Sequence, residues 1–242
     1  AYIRNDSRTL TIDGIAITVE ATGTININQS FVLPMSESNT YTSLHTITSS
    51  ATNQIWDVIS ITITRSGTQI VYDNWEDGYE STPSNPSQSS TQIWGDGDTS
   101  NGTAPGTVND VLTAGSVITL KNLVDLTKVG LTTAQPGINS GYYYDGRDMI
   151  HASSPISVTQ AEWAASPGSV LAGAVNIADN GNLGKNYVVP VGQGTATIFT
   201  YSSLHIIATQ DNTQITIDLD GNASTTADIS YVTLNKGQTH LA

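Results

Sequence analysis

The stretch Val58-Ile59-Ser60-Ile61-Thr62-Ile63-Thr64 constrains the fold most. Isoleucine at every second position puts Ile59, Ile61 and Ile63 on one side of an extended chain and Ser60, Thr62 and Thr64 on the other. β-Branched side chains favour that pleated state, and a helix would scatter them around its circumference. Ser66-Gly67-Thr68 marks a turn, after which Gln69-Ile70-Val71-Tyr72 reads as the returning partner strand of a β-hairpin. Strands are also expected at 12–19, 24–28, 116–120, 156–159, 187–189, 196–199, 204–208, 213–217 and 230–234, with Asp211-Asn212 and Asp220-Gly221-Asn222 as turns. A helical character is confined to 161–174, where Pro167-Gly168 interrupts it. Short strands with frequent turns and no sustained 3.6-residue period predict an all-β sandwich or barrel, not βαβ units.

Phrases recur along the chain. Phe31-Val32-Leu33-Pro34 is echoed by Tyr187-Val188-Val189-Pro190, and Tyr41-Thr42-Ser43-Leu44-His45 by Tyr201-Ser202-Ser203-Leu204-His205. In the same order, Leu112-Thr113-Ala114-Gly115-Ser116 matches Leu234-Asn235-Lys236-Gly237-Gln238. Ordered matches of this kind predict two related β modules. The expected layout is an N-terminal strand segment over 1–24, a first β-sandwich module over 25–165 with an insertion at 73–110, and a shorter second module over 166–242. After Gly115 the first module continues through 145–158, whereas the second has no counterpart after Gly237, so the second is expected to be incomplete. The missing strand is expected either from a continuation of the chain past Ala242 or from a donor, with 1–24 or a neighbouring subunit as the candidates.

The expected hairpin ends on Tyr72-Asp73-Asn74-Trp75-Glu76-Asp77-Gly78-Tyr79-Glu80, a concentration of acid in a chain that is only 12% charged. A Ser/Pro-rich spacer leads on to Trp94-Gly95-Asp96-Gly97-Asp98-Thr99-Ser100-Asn101-Gly102. No Lys or Arg lies between Arg65 and Lys121. Carboxylates crowded together repel one another unless a cation or a shared proton offsets the charge. Calcium, which takes roughly six to eight oxygen ligands, answers that need. The candidate donors are Asp73, Glu76, Asp77, Glu80, Asp96, Asp98, Asn101 and Asp110. An EF-hand is excluded, because the glycine required at its sixth position is Asn101 and its twelfth is Thr107.

Other readings of the same residues stay open: a solvated acidic loop whose Asp side chains cap backbone N–H groups, or a catalytic carboxylate pair such as Glu76 and Glu80. Trp75, Tyr79 and Trp94 offer a ligand-stacking platform for sugars, or else pack the long loop onto the sheet. Arg147 is expected to pair with Asp148 or with the acidic cluster, and Asp179-Asn180-Gly181-Asn182 to form a turn. His45 and His205, at matching repeat positions, are expected within strands and in structural hydrogen bonds. The histidines lack metal-binding spacing, and there is no Gly-x-Ser-x-Gly elbow.

A net charge of −13 with eight basic residues argues against nucleic acid and anionic membrane surfaces. No apolar run reaches membrane-spanning length, so membrane insertion is not expected. With no cysteine, disulfides and thiolate chemistry are excluded. Low Lys content with abundant Thr, Ser and Asn favours a bacterial surface protein.

The phrases 187–190, 204–217, 234–237 and 153–158 together resemble the IgG-Fc-binding protein N-terminal domain family, as found in large bacterial surface proteins. The resemblance spans roughly 30–242 and rests on strand-and-turn phrases, while the family's vertebrate members are rich in cysteine and this chain has none. It implies an extracellular, repeated, non-enzymatic module, and no residue here carries over immunoglobulin binding. The expected function is therefore a structural or adhesive protein at the cell surface, with calcium-ordered loops and with other copies of itself or other surface proteins as partners. Two alternatives accompany it: a filament or surface-layer subunit completed by strand exchange, and a carbohydrate-binding or carbohydrate-active protein with glycans as partners.

Overall fold

The computed structural model describes residues 8–12, 15–19, 24–47, 54–125, 144–165, 171–189, 202–218 and 229–242. In chain order the elements begin with β1 (Arg8–Ile12), β2 (Ile15–Val19), β3 (Gln29–Val32), α1 (Glu37–Ile47) and β4 (Gln54–Ile63). They continue with β5 (Ile70–Asp73), β6 (Gln92–Trp94), β7 (Val117–Asp125), β8 (Met149–Ala152), β9 (Ile156–Ala164) and β10 (Leu171–Ile177). The last are β11 (His205–Ile207), β12 (Thr213–Ile217), β13 (Ile229–Leu234) and β14 (Thr239–Leu241). Among the described residues strands dominate and every ladder is antiparallel, so the all-β expectation holds.

Two four-stranded sheets, ordered β10-β9-β4-β7 and β3-β8-β5-β6, share one apolar cluster. Ile59, Ile61 and Ile63 of β4 enter it from one layer, and Ile70, Tyr72 and Trp94 from the other. The expected β4–β5 hairpin is not formed, since the two strands lie in different sheets. The reason is burial: Ile63 and Ile70 flank the turn, and both belong to the same core, so the chain crosses between layers instead of folding back within one. β5 lies between β8 and β6 and is buried along its whole length.

The expected helix at 161–174 is replaced by β9 and β10, with 166–170 outside the described residues. The helix lies instead at α1, which buries Glu37, Thr40 and Leu44 on one face. Its Ser, Thr and Asn content is poor for helix, and Thr42 and Thr46 bond back to the carbonyls of Ser38 and Thr42. Tertiary contacts carry it, and it packs against β9, β4, β10 and β14. His45 therefore sits on a helix, not a strand, with Nδ1 beside the Tyr41 carbonyl at 3.1 Å. The expected strand at 187–189 is exposed coil, and 24–28 is irregular. The expected strand at 196–199 and turn at 220–222 fall outside the described residues.

A strand pattern does recur, in a different register from the one the phrases gave. β4 pairs β7 while β5 pairs β6, and β11 pairs β14 while β12 pairs β13. Gly115 N donates to Ile63 O at 2.7 Å and Ile63 N to Ser116 O at 2.9 Å. Gly237 N donates likewise to Ala208 O at 2.8 Å and Ala208 N to Gln238 O at 3.0 Å. Ala114 N on Ser66 Oγ (2.9 Å) matches Lys236 N on Asp211 Oδ1 (3.0 Å). The 112–116 and 234–238 phrases are thus equivalent. Ala208 meets the 237–238 turn as Ile63 meets the 115–116 turn, while 41–47, which echoes 201–207 in sequence, lies in α1.

Candidate functional site

The inward face of β4 carries Ile55, Asp57, Ile59, Ile61 and Ile63, all buried. On β9 the same face carries Ile156, Val158, Gln160 and Glu162. An apolar sheet face thus turns polar at one end. Asp57 stands directly opposite Glu162 in the ladder, with Asn122 of β7 on its other side. Side chains so paired share a face and lie within contact range, so two carboxylates there repel. Glu37, in the first turn of α1, closes over this end. Ligand oxygens of Glu37, Asp57 and Glu162 all lie within 4.8 Å of one another.

A second group stands beside the first. Glu76, just beyond β5, meets Asp145 and Asp148 from the turn before β8, again with oxygens within 4.8 Å of one another. That turn presses against the segment leading into α1: Arg147 N donates to Leu33 O (2.9 Å) and Leu33 N to Asp148 O (3.0 Å). A Cβ on Gly146 would come within 1.7 Å of the Met35 carbonyl oxygen, so the approach requires glycine. Gly146 N also donates to Glu37 Oε1 at 2.7 Å, which joins the two groups.

Neutral donors orient these carboxylates. Gln160 Nε2 reaches Asp57 Oδ2 (3.2 Å), Glu162 Oε1 (3.1 Å) and the Met35 carbonyl (3.0 Å), and Thr40 Oγ1 donates to Glu162 Oε2. Asp148 accepts from Tyr72 Oη (2.7 Å), Asp145 N (3.1 Å) and Trp75 N (3.1 Å). Several oxygens are left over. Both of Asp145, with Asp57 Oδ1 and Glu76 Oε1, are buried without a hydrogen-bond partner. Burial, then neighbouring carboxylates, push Asp57, Asp145 and Glu162 well above the usual carboxylate range. Burial and the Glu76 charge do the same to Asp148, and burial raises Glu37 and takes Glu76 up to about 7. Arg147, at φ +81°, stacks on Trp75 with its guanidinium carbon 3.7 Å from the ring centroid and donates Nε to Gly237 O at 2.8 Å. Of the two partners expected for it, Asp148 or the acidic cluster, the cluster feels its charge, which favours the ionised forms of Glu37 and Glu76.

Of the eight donors expected from sequence, Glu76 alone belongs to either group among the described residues. Asp73 Oδ2 accepts from Glu80 N (3.0 Å) and lies 3.9 Å from His151 Nε2. Glu80 caps the Ser87 and Gln88 N–H groups, and Asp77 bonds Ser90 Oγ. Asp110 accepts from the N–H groups of Gly95, Asp96, Gly97 and Ala104. Asp96 and Asp98 fold their own turns, through Asp98 N, Ser100 N and the Asn101 amide. For this second loop the structure shows the capping pattern.

The aromatic platform is not assembled. Trp94 is wholly buried against Tyr72 and Tyr144, with centroids at 5.1 and 5.8 Å. Trp75 carries Arg147 on its face, and Tyr79 carries Lys236. Ser30 Oγ lies 2.8 Å from His151 Nδ1, and Asp73 Oδ2 lies 3.9 Å from His151 Nε2, on the face of their sheet away from the shared core. A depression of about 620 Å³ between residues 86–93 and 99–102 is lined by no titratable side chain.

The sequence signal that was missed is the pair Asp57 and Glu162, charged residues at inward positions of alternations that are apolar apart from them and Gln160. Among the described residues, no helix is long and apolar enough to cross a membrane. No protein-family model, curated protein or solved structure matches this chain.

Proposed function

We propose that this chain is a non-enzymatic structural or adhesive module of a bacterial cell surface, whose acidic centre is held by calcium. The observation that carries the reading is Asp145: its two carboxylate oxygens are buried without partners, between Glu76 and Asp148. An uncompensated buried carboxylate is costly, and a hard cation with oxygen ligands removes that cost. Glu76, Asp145 and Asp148 supply three ligands from two separate segments, so the ion would tie the end of β5 to the turn before β8. In a cysteine-free chain it takes the place of a disulfide. The resemblance to surface-protein repeats, and the reading as two related sandwich modules, agree with the recurring β4–β7 and β11–β14 pattern. Thermal melts with calcium and with chelator test the reading. The midpoint is expected to rise with calcium in wild type and not in Asp145→Asn; equal midpoints in wild type discard calcium.

A second reading, self-assembly by strand exchange, has its own observation. β5 is flanked on both sides, whereas β12 pairs only β13 among the described residues, and Tyr187, Val188 and Val189 are 69%, 93% and 53% exposed. An open edge suits an added strand, for which 1–24 remains the candidate donor. Light scattering on a variant lacking 1–24 decides it, and an unchanged assembly size removes the idea.

A further inference from the structure

We infer that the acidic centre holds two divalent cations, the second bound by Glu37, Asp57 and Glu162 and linked to the first through Asp145. This rests on the calcium reading above and extends it to residues on three further elements. Glu37, Asp57 and Glu162 are 4%, 0% and 0% exposed, and their ligand oxygens gather within 4.8 Å. Neutral donors hold one oxygen of Glu37 (Gly146 N) and one of Asp57 (Gln160 Nε2), and both oxygens of Glu162 (Gln160 Nε2 on Oε1, Thr40 Oγ1 on Oε2). Second-layer donors of this kind orient carboxylates towards an ion. Asp57 Oδ1 is left buried and unpartnered.

Asp145 supplies the independent sign. It is not a member of this triad, it is fully buried, and neither of its oxygens has a partner. The two carboxylates that act on it most strongly are Glu37 and Asp148, one from each group. Gly146, next to Asp145 in the chain, donates its N–H to Glu37 Oε1, so Asp145 lies where the two groups meet and has two unpartnered oxygens to offer. Charge leads to the same count. One divalent ion together with Arg147 offsets half of the six carboxylates, and a second brings the centre near balance. The donors are all oxygen, which selects calcium over zinc or copper.

Equilibrium dialysis of chelator-stripped protein against radioactive calcium at neutral pH tests the count. Two ions per chain are expected for wild type and one for Asp57→Asn. One ion in wild type overturns the second site and leaves the first standing, whereas none overturns both and leaves shared protons as the compensation. Because Asp57→Asn can fail to fold, manganese loading of the wild type gives a second readout. Two ions sharing a carboxylate give a spin-coupled electron paramagnetic resonance spectrum at saturation. An isolated six-line spectrum there overturns the proposal.

Discussion

Asp57 and Glu162 face each other across the β4–β9 ladder on the inward side of the sheet, both fully buried. One row away, Ile59 stands opposite Gln160, whose amide nitrogen reaches both acids. Like charges so placed destabilise a sheet, so the fold contains a local conflict that a ligand or a proton must resolve.

Glu162→Gln shows which compensation operates. The amide keeps the shape of the side chain and removes one charge. In chelator the variant is expected to be more stable than wild type, by about 1–3 kcal/mol, because an amide avoids both a buried charge and the cost of holding a proton on it. In saturating calcium the order reverses, because the variant has lost a ligand. Denaturant melts under the two conditions check the crossing. Parallel shifts in both would mean that the cation plays no part.

The pH dependence carries the same signature. In chelator, Asp57, Asp145, Asp148 and Glu162 have folded pKa values well above the usual range, and Glu76 is at about 7, with burial as the largest cause. Such groups bind more protons folded than unfolded. Their stability is fully present below the ordinary carboxylate pKa of about 4 and is lost as pH rises through the folded values. The chelated protein is therefore expected to melt lower at pH 8 than at pH 5. Glu76 alone accounts for on the order of 3 kcal/mol. Calcium binds the deprotonated ligands, so its stabilisation grows over the same interval. Midpoints in chelator that hold steady or climb from pH 5 to 8 would contradict the assignment.

The two layers were legible because Ile59, Ile61 and Ile63 alternate cleanly, and burial of one face leaves few other folds. Their connection was not, since a turn such as Ser66-Gly67-Thr68 serves a hairpin and a crossover equally well; what decides is that Ile63 and Ile70 bury in one core. Residues 37–47 gave no helical signal, because inward-facing Glu37 and Thr40 break the apolar stripe by which a helix is recognised. The acidic centre was half visible. Clustering along the chain exposed Glu76, but Glu37, Asp57 and Glu162 are far apart in sequence and meet only through strand register and helix docking. Local density instead favoured Asp96 and Asp98, whose turns are satisfied by their own backbone.

Trp94 and Trp75 separate a core role from a surface one. Trp94→Ala removes a fully buried ring between Tyr72 and Tyr144 and is expected to cost about 3–5 kcal/mol. Trp75→Ala loses a half-buried ring and its cation–π contact with Arg147, expected at about 1–2 kcal/mol. Urea titrations rank the two, and comparable losses would show that Trp94 is not the core ring described here.

The equivalent turns at Gly115 and Gly237 give a matched pair for the contact between the two strand patterns. Both glycines have positive φ, +86° and +77°, so alanine strains either backbone by about 1–2 kcal/mol. Nothing lies within 4 Å of a Cβ at Gly115, whereas one at Gly237 would meet Tyr79 Oη at 2.1 Å. Tyr79 in turn donates to the Arg147 carbonyl at 2.8 Å, and Arg147 lies between Asp145 and Asp148. Gly237→Ala should therefore push Tyr79 away, disturb the turn that carries two proposed ligands, and weaken calcium binding as well as stability. Gly115→Ala should lower stability alone. Calcium titrations of the two variants decide it: equal affinities would mean that the C-terminal turn rests against the acidic centre without influencing it.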